Sequence, residues 1–139
     1  RLSLVEEGAV RLGIDIIKTA AVNSGVYRNM GQFDAVLCDV PCSGLGVIRR
    51  KPEIKYKADI FDKSLLYTQE KILDTADKHL KPGGRLLYST CTLRHEENKG
   101  QVEKFLCNHK CYKLETERTF LPHIDGTDGF YCALLIKSR

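Results

Sequence analysis

Two short segments of this chain place a thiol beside residues that bend or free the backbone. Asp39-Val40-Pro41-Cys42-Ser43-Gly44-Leu45-Gly46 sets a carboxylate, a rigid bend, a thiol and two glycines directly after a dense apolar run. Ser89-Thr90-Cys91-Thr92 follows a second apolar run. In an open parallel sheet ligands gather beyond the carboxyl ends of the strands, so a thiol at either place can meet a substrate instead of filling a core. A pair of thiols there suits covalent catalysis, whereas a site that only grips phosphate has no use for them.

The remaining cysteines read differently. Cys38 and Cys132 lie inside apolar, strand-like runs, where a free thiol usually acts as a small hydrophobe. Cys38 with Cys42, and Cys107 with Cys111 near His109, have a spacing that zinc could use. Neighbouring residues on a strand point to opposite faces, however, and no compact knuckle is present, so no metal is expected. With no signal peptide in the sequence, reduced thiols and a cytoplasmic location are expected over a secreted disulfide framework. No window approaches 18 uninterrupted apolar residues, so no membrane partner is expected either.

These segments need a scaffold. The chain has 139 residues, 42% hydrophobic and 29% charged, enough for one core in one domain, and its net charge of +4 permits an anionic partner without demanding one. Residues 2–12 read as an amphipathic helix ending at Gly13, and residues 15–21 as a strand. Arg1 is followed at once by helical spacing, as though the chain starts inside an element. Phe33 to Val40 reads as a central strand buried on both faces. Leu65, Leu66, Gln69, Ile72, Leu73, Ala76 and Leu80 keep a helical period. Lys81-Pro82-Gly83-Gly84 then reads as a turn, 85–89 as a strand, and roughly 96–108 as a second helix. Two closing strands are predicted over 112–119 and 130–137. Strands alternating with helices imply an α/β, Rossmann-like fold: a mostly parallel sheet with helices on both faces and one antiparallel edge.

Three ordered stretches then carry a resemblance: DVPCSGLGVIRRKPEIK (39–55), LKPGGRLLYSTCTLRHEEN (80–98) and DGFYCALLIK (128–137). Together they resemble the NOP2/Sun family of RNA cytosine-5 methyltransferases, and within it the bacterial Sun/Fmu type that acts on 16S ribosomal RNA. The resemblance implies a cytosine flipped out of the RNA stack and attacked at C6 by a cysteine, so that C5 takes a methyl group from S-adenosylmethionine. It gives the attack to Cys91, in the TC motif. Cys42, in the PC motif, would assist removal of the C5 proton and product release, and Asp39 would hydrogen-bond the ring near N3 and N4. DNA cytosine-5 methyltransferases give the attack to the PC cysteine, but Gly44, Gly46, Arg49, Arg50, Pro52 and the second thiol match the RNA family.

Pro41, Ser43, Arg49, Arg50 and Asn98 are accordingly expected at the substrate, with Lys51 as a further RNA contact, and Glu97-Asn98 matches a family pair that shapes the site. An ordinary thiol is only a few per cent ionised at neutral pH, so Cys91 needs a nearby positive field or helix N-terminus, for which the helix beginning near Glu96 is the candidate. The family's glycine-rich cofactor loop and its ribose-binding acid have no counterpart here. Residues 1–139 are therefore expected to be the C-terminal part of a single methyltransferase catalytic domain lacking its first two strands, inactive alone. Asp39 and Asn23, the latter a weak adenine contact, would be all that touches S-adenosylmethionine. The edges left by the missing strands would favour self-association, with the third strand orphaned and the segment before Gly31 irregular. A tRNA substrate, or a module that only binds RNA, remains the alternative.

Overall fold

The computed structural model describes residues 2–21, 31–56 and 63–138. Its order is α1 (Leu2–Arg11), β1 (Phe33–Asp39), α2 (Lys63–His79), β2 (Leu80–Thr90), α3 (Lys99–Asn108), β3 (Tyr112–Phe120), α4 (Pro122–Asp125) and β4 (Phe130–Lys137), with short 3-10 turns at Leu45–Val47, Pro52–Tyr56 and His95–Glu97. The sheet runs β1-β2-β4-β3. β1 and β2 are parallel, whereas β4 lies antiparallel to both β2 and β3. The parallel part is thus one pair among the described residues, and β4 returns antiparallel beside β3 because the four-residue α4 between them is too short for a crossover connection.

β2 and β4 are the interior strands, and their period of two shows it. Leu80, Leu86, Tyr88 and Thr90 of β2, and Tyr131, Ala133 and Leu135 of β4, point to one buried face. Leu73 and Ala76 of α2 and Val102 and Phe105 of α3 close the same core, and the two helices touch each other. Both therefore cover one face, where helices on both faces were expected.

Three expectations change. β1 is an edge strand: among the described residues it pairs only with β2, leaving the free edge expected from the missing strands, and Leu37 is 65% exposed, so the apolar run is not buried on both faces. Its apolar character instead marks a face and an edge left open. Residues 15–21 form no strand, since a strand exists by pairing and no ladder partner stands beside them among the described residues. The Lys81-Pro82-Gly83-Gly84 turn is absorbed into β2 as a bulge: Phe33 faces Leu80 and Ala35 faces Arg85, with Gly83 at a positive φ of 78°. α1 ends as expected, with Gly13 at φ 66°, and buries only Ala9.

Candidate active site

The parallel pairing of β1 with β2 puts Asp39 opposite Ser89, and the Val40 amide donates to the Ser89 carbonyl at 3.1 Å. The loops that follow are therefore neighbours, although about fifty residues separate them in sequence. Cys42 Sγ and Cys91 Sγ lie 3.3 Å apart, within hydrogen-bond reach for thiols. Burial, reinforced by the contact with Cys91, pushes the Cys42 thiol up to about 12, so it keeps its proton at neutral pH. Cys91 opens instead onto a cleft of about 440 Å³ lined by Asp39, Val47, Arg50, Lys51 and Phe130. Asp39 is exposed there and accepts a hydrogen bond from Ser89 Oγ at 3.2 Å.

Behind the thiols lies a buried polar clamp. Glu97 is fully buried, and its Oε2 accepts from the Ser43 amide at 2.9 Å and from Gln69 Nε2 at 3.1 Å. Its Oε1 pairs with Arg94 at 3.2 Å. Gln69 Nε2 also donates to the Pro41 carbonyl at 2.9 Å. Ser43 Oγ and Thr92 Oγ1 share a hydrogen bond of 2.7 Å, tying the residue after Cys42 to the residue after Cys91. Asn98 accepts from Thr90 Oγ1 at 2.6 Å and donates to the Thr92 carbonyl at 3.0 Å, so it brackets Cys91. A buried carboxylate survives only with such partners.

Close backbone contact completes the loop. Gly44 adopts φ 74°, which turns the chain sharply after Ser43. Gly46 N–H donates to the Cys91 carbonyl at 3.0 Å, and the Gly46 carbonyl accepts from Gly129 N–H at 2.8 Å. A Cβ on Gly46 would stand 1.9 Å from the Gly129 oxygen, so no other residue fits.

The expected helix start near Glu96 is corrected. A 3-10 turn occupies His95–Glu97, and α3 begins at Lys99, because Glu97 and Asn98 spend their side chains on the clamp. The cations that share the cleft with Cys91 are Arg50 and Lys51. Arg50 forms a close ion pair with the largely buried carboxylate of Asp128, and Arg49 approaches the same group at 4.0 Å. Pro41 is exposed, whereas Ser43 and Asn98 are buried and turn their polar atoms into the clamp instead of toward the cleft. Asn23 lies outside the described residues.

Sequence reasoning missed Gln69, Thr92, Arg94, Asp128 and Phe130. Gln69 sat in full view as a polar residue at an apolar helical position, which was the signal. Asp39, the cofactor contact expected from the sequence, lines the cleft, and no glycine-rich cradle is in the sequence.

The family described as 16S rRNA methyltransferase RsmB/F matches residues 1–136. Ribosomal RNA small subunit methyltransferase B of Erwinia tasmaniensis is 45% identical over 151 aligned residues, covering 99% of this chain and 34% of that protein. The probable counterpart in Bacillus subtilis is 36% identical over 158, covering 99% and 35%. The chain therefore spans about a third of the length of the curated relatives it matches. Among solved structures, NSun6 from Pyrococcus horikoshii with SFG superposes at a TM-score of 0.86 with 32% identity, covering 100% of this chain and 39% of that one. A S-adenosylmethionine-dependent methyltransferase from Clostridium acetobutylicum superposes at 0.59 with 11% identity, covering 99% and 71%, a likeness of fold alone. The fold is thus the Rossmann-like one of S-adenosylmethionine-dependent methyltransferases, present here in part.

Proposed function

The chain belongs to the 16S rRNA methyltransferase RsmB/F family, and from that premise we propose that it is the C-terminal part of a catalytic domain that methylates C5 of a cytosine in small-subunit ribosomal RNA. The observation that carries this reading is the pair of thiols 3.3 Å apart, one buried and protonated, the other opening beside a carboxylate and two cations onto a cleft.

The roles follow from those surroundings. Cys91, which shares its cleft with Arg50 and Lys51, gives up its proton to solvent and attacks C6 of a flipped cytosine; the C5–C6 double bond opens and C5 becomes nucleophilic. Asp39 holds the ring edge at N3 and N4 and offsets the charge that develops there. S-adenosylmethionine, when bound, supplies an electrophilic methyl group. In the last step the C5 proton passes to water, the C5–C6 double bond re-forms, and the electron pair of the C6–S bond returns to Cys91. Cys42 assists that step: its high proton affinity keeps it from competing for C6, and its sulfur touches the one that must leave. Pro41, Arg49 and Arg50 meet the RNA, Arg50 by way of phosphate, and Phe130 offers the cleft an aromatic ring.

Covalent trapping tests this in the full-length protein that carries the chain. Cys91→Ser should form no adduct with RNA containing 5-fluorocytosine, whereas Cys42→Ser should accumulate adduct with unmodified RNA. Adduct that survives in Cys91→Ser and disappears in Cys42→Ser reverses the assignment.

A further inference from the structure

We infer that Gln69, on α2 and remote in sequence from both thiol motifs, is a positioning residue that holds Cys42 against Cys91 for product release. The inference rests on the reading of the two thiols given above and extends it to the residue that sets their approach.

Cys42 is gripped from both sides along its own backbone. The carbonyl of the residue before it, Pro41, accepts from Gln69 Nε2 at 2.9 Å, and the amide of the residue after it, Ser43, donates to Glu97 at 2.9 Å. Gln69 Nε2 also donates to that same Glu97 oxygen at 3.1 Å, so a single amide nitrogen joins the two grips. An amide nitrogen has two hydrogens, and both are used. The orientation is therefore fixed: with oxygen and nitrogen exchanged, the amide oxygen would face a carbonyl and a carboxylate.

The other half of the side chain makes the case stronger. Gln69 is fully buried, and its Oε1 has no hydrogen-bond partner among the described residues. Packing alone would favour an apolar residue of the same volume at this helical position, since a buried unpartnered carbonyl is destabilising. What the amide alone provides is its pair of donors: one ends on the Pro41 carbonyl beside Cys42, the other on the Glu97 oxygen that holds the Ser43 amide. Cys91 follows directly on β2, which pairs with β4 as far as Thr90, and Asn98 brackets it through Thr90 and Thr92, so losing Gln69 should loosen Cys42 far more than Cys91.

Gln69→Leu keeps nearly the same volume and removes both donors; Gln69→Asn keeps an amide one methylene too short to reach both acceptors, and serves if the leucine variant folds poorly. In the full-length protein, either variant should lower kcat roughly tenfold with KM for RNA within about twofold. Adduct with unmodified RNA should accumulate as in Cys42→Ser, while the rate of trapping on 5-fluorocytosine RNA, which reports Cys91, stays within about twofold. A role in folding alone would instead lower trapping and release together, in step with the folded fraction, and that result overturns the inference. Alkylation of Cys42 by iodoacetamide without RNA separates this from the reading of the thiols: it should quicken at least about fivefold when the grip is removed. If Cys42→Ser fails to accumulate adduct, the assignment of the thiols falls; if Cys42 alkylation is unchanged in Gln69→Leu, the positioning role falls.

Discussion

Gly46→Ala is the sharpest perturbation of the site. The added methyl would stand 1.9 Å from the Gly129 oxygen and 2.8 Å from the Cys91 oxygen, where real Cβ contacts essentially never fall below 3.0 Å. Both obstacles are backbone atoms in strands or in loops pinned to them, so no side chain can swing away. The segment around Gly46 must retreat by about 1 Å. That stretches the bonds from Gly46 N–H to Cys91 and from Gly129 N–H to Gly46, now 3.0 and 2.8 Å, to roughly 4 Å, beyond hydrogen-bond range. Two lost hydrogen bonds at about 1 kcal/mol each, with about 1–3 kcal/mol for the forced shift, give a destabilisation of about 3–5 kcal/mol. The same retreat displaces Val47 and Arg50 from the cleft, and a misplacement of this size costs on the order of 100-fold in rate. Urea unfolding and trapping on 5-fluorocytosine RNA measure the two effects. Gly8→Ala is the control: nothing lies within 4 Å of its Cβ inside α1, so it should stabilise by about 0.5–1 kcal/mol. A Gly46→Ala protein with the unfolding midpoint and trapping rate of the parent would refute the close approach of the two glycines on which the cleft rests.

Cys38 and Cys42 are both held up to about 12, chiefly by burial, against an ordinary value of 9.0. The folded chain therefore keeps protons that the unfolded chain releases, so stability is intact below pH 9 and falls as the pH climbs toward 12; urea midpoints that rise over that range would contradict it. Iodoacetamide at pH 8 should label Cys91 well before Cys42, as peptide mapping would show, and equal labelling would place Cys42 outside its buried setting. Mild peroxide should couple Cys42 to Cys91 with loss of two hydrogens and of water from the intermediate sulfenic acid, reversibly with dithiothreitol; a peroxide-treated protein cross-linked elsewhere would argue against their proximity. Asp128→Asn should release Arg49 and Arg50 to phosphate and steepen the salt dependence of RNA binding by about one unit of log–log slope, whereas Arg50→Ala should flatten it by a similar amount.

The sequence by itself determined the elements whose residues carry their own signal. Periodicity marked α2 and Gly13 closed α1, because both are settled by contacts within a few residues, and apolar runs bounded by turn residues marked 85–89 of β2 and 130–137 of β4. It also singled out Asp39, Cys42 and Cys91, since a thiol after a buried strand and a bend is a local pattern. Tertiary structure decided what depends on who stands beside whom. The apolar run of β1 looked central and is an edge, because a strand's place in a sheet is set by its pairing partners and not by its composition. The helix expected from Glu96 begins at Lys99, because Glu97 is drawn off by Ser43 and Gln69, fifty-four and twenty-eight residues away in sequence. The 3.3 Å between the two sulfurs belongs to neither motif: it follows from the register of β1 against β2 and from a buried amide on a third element, and only folding brings those three together.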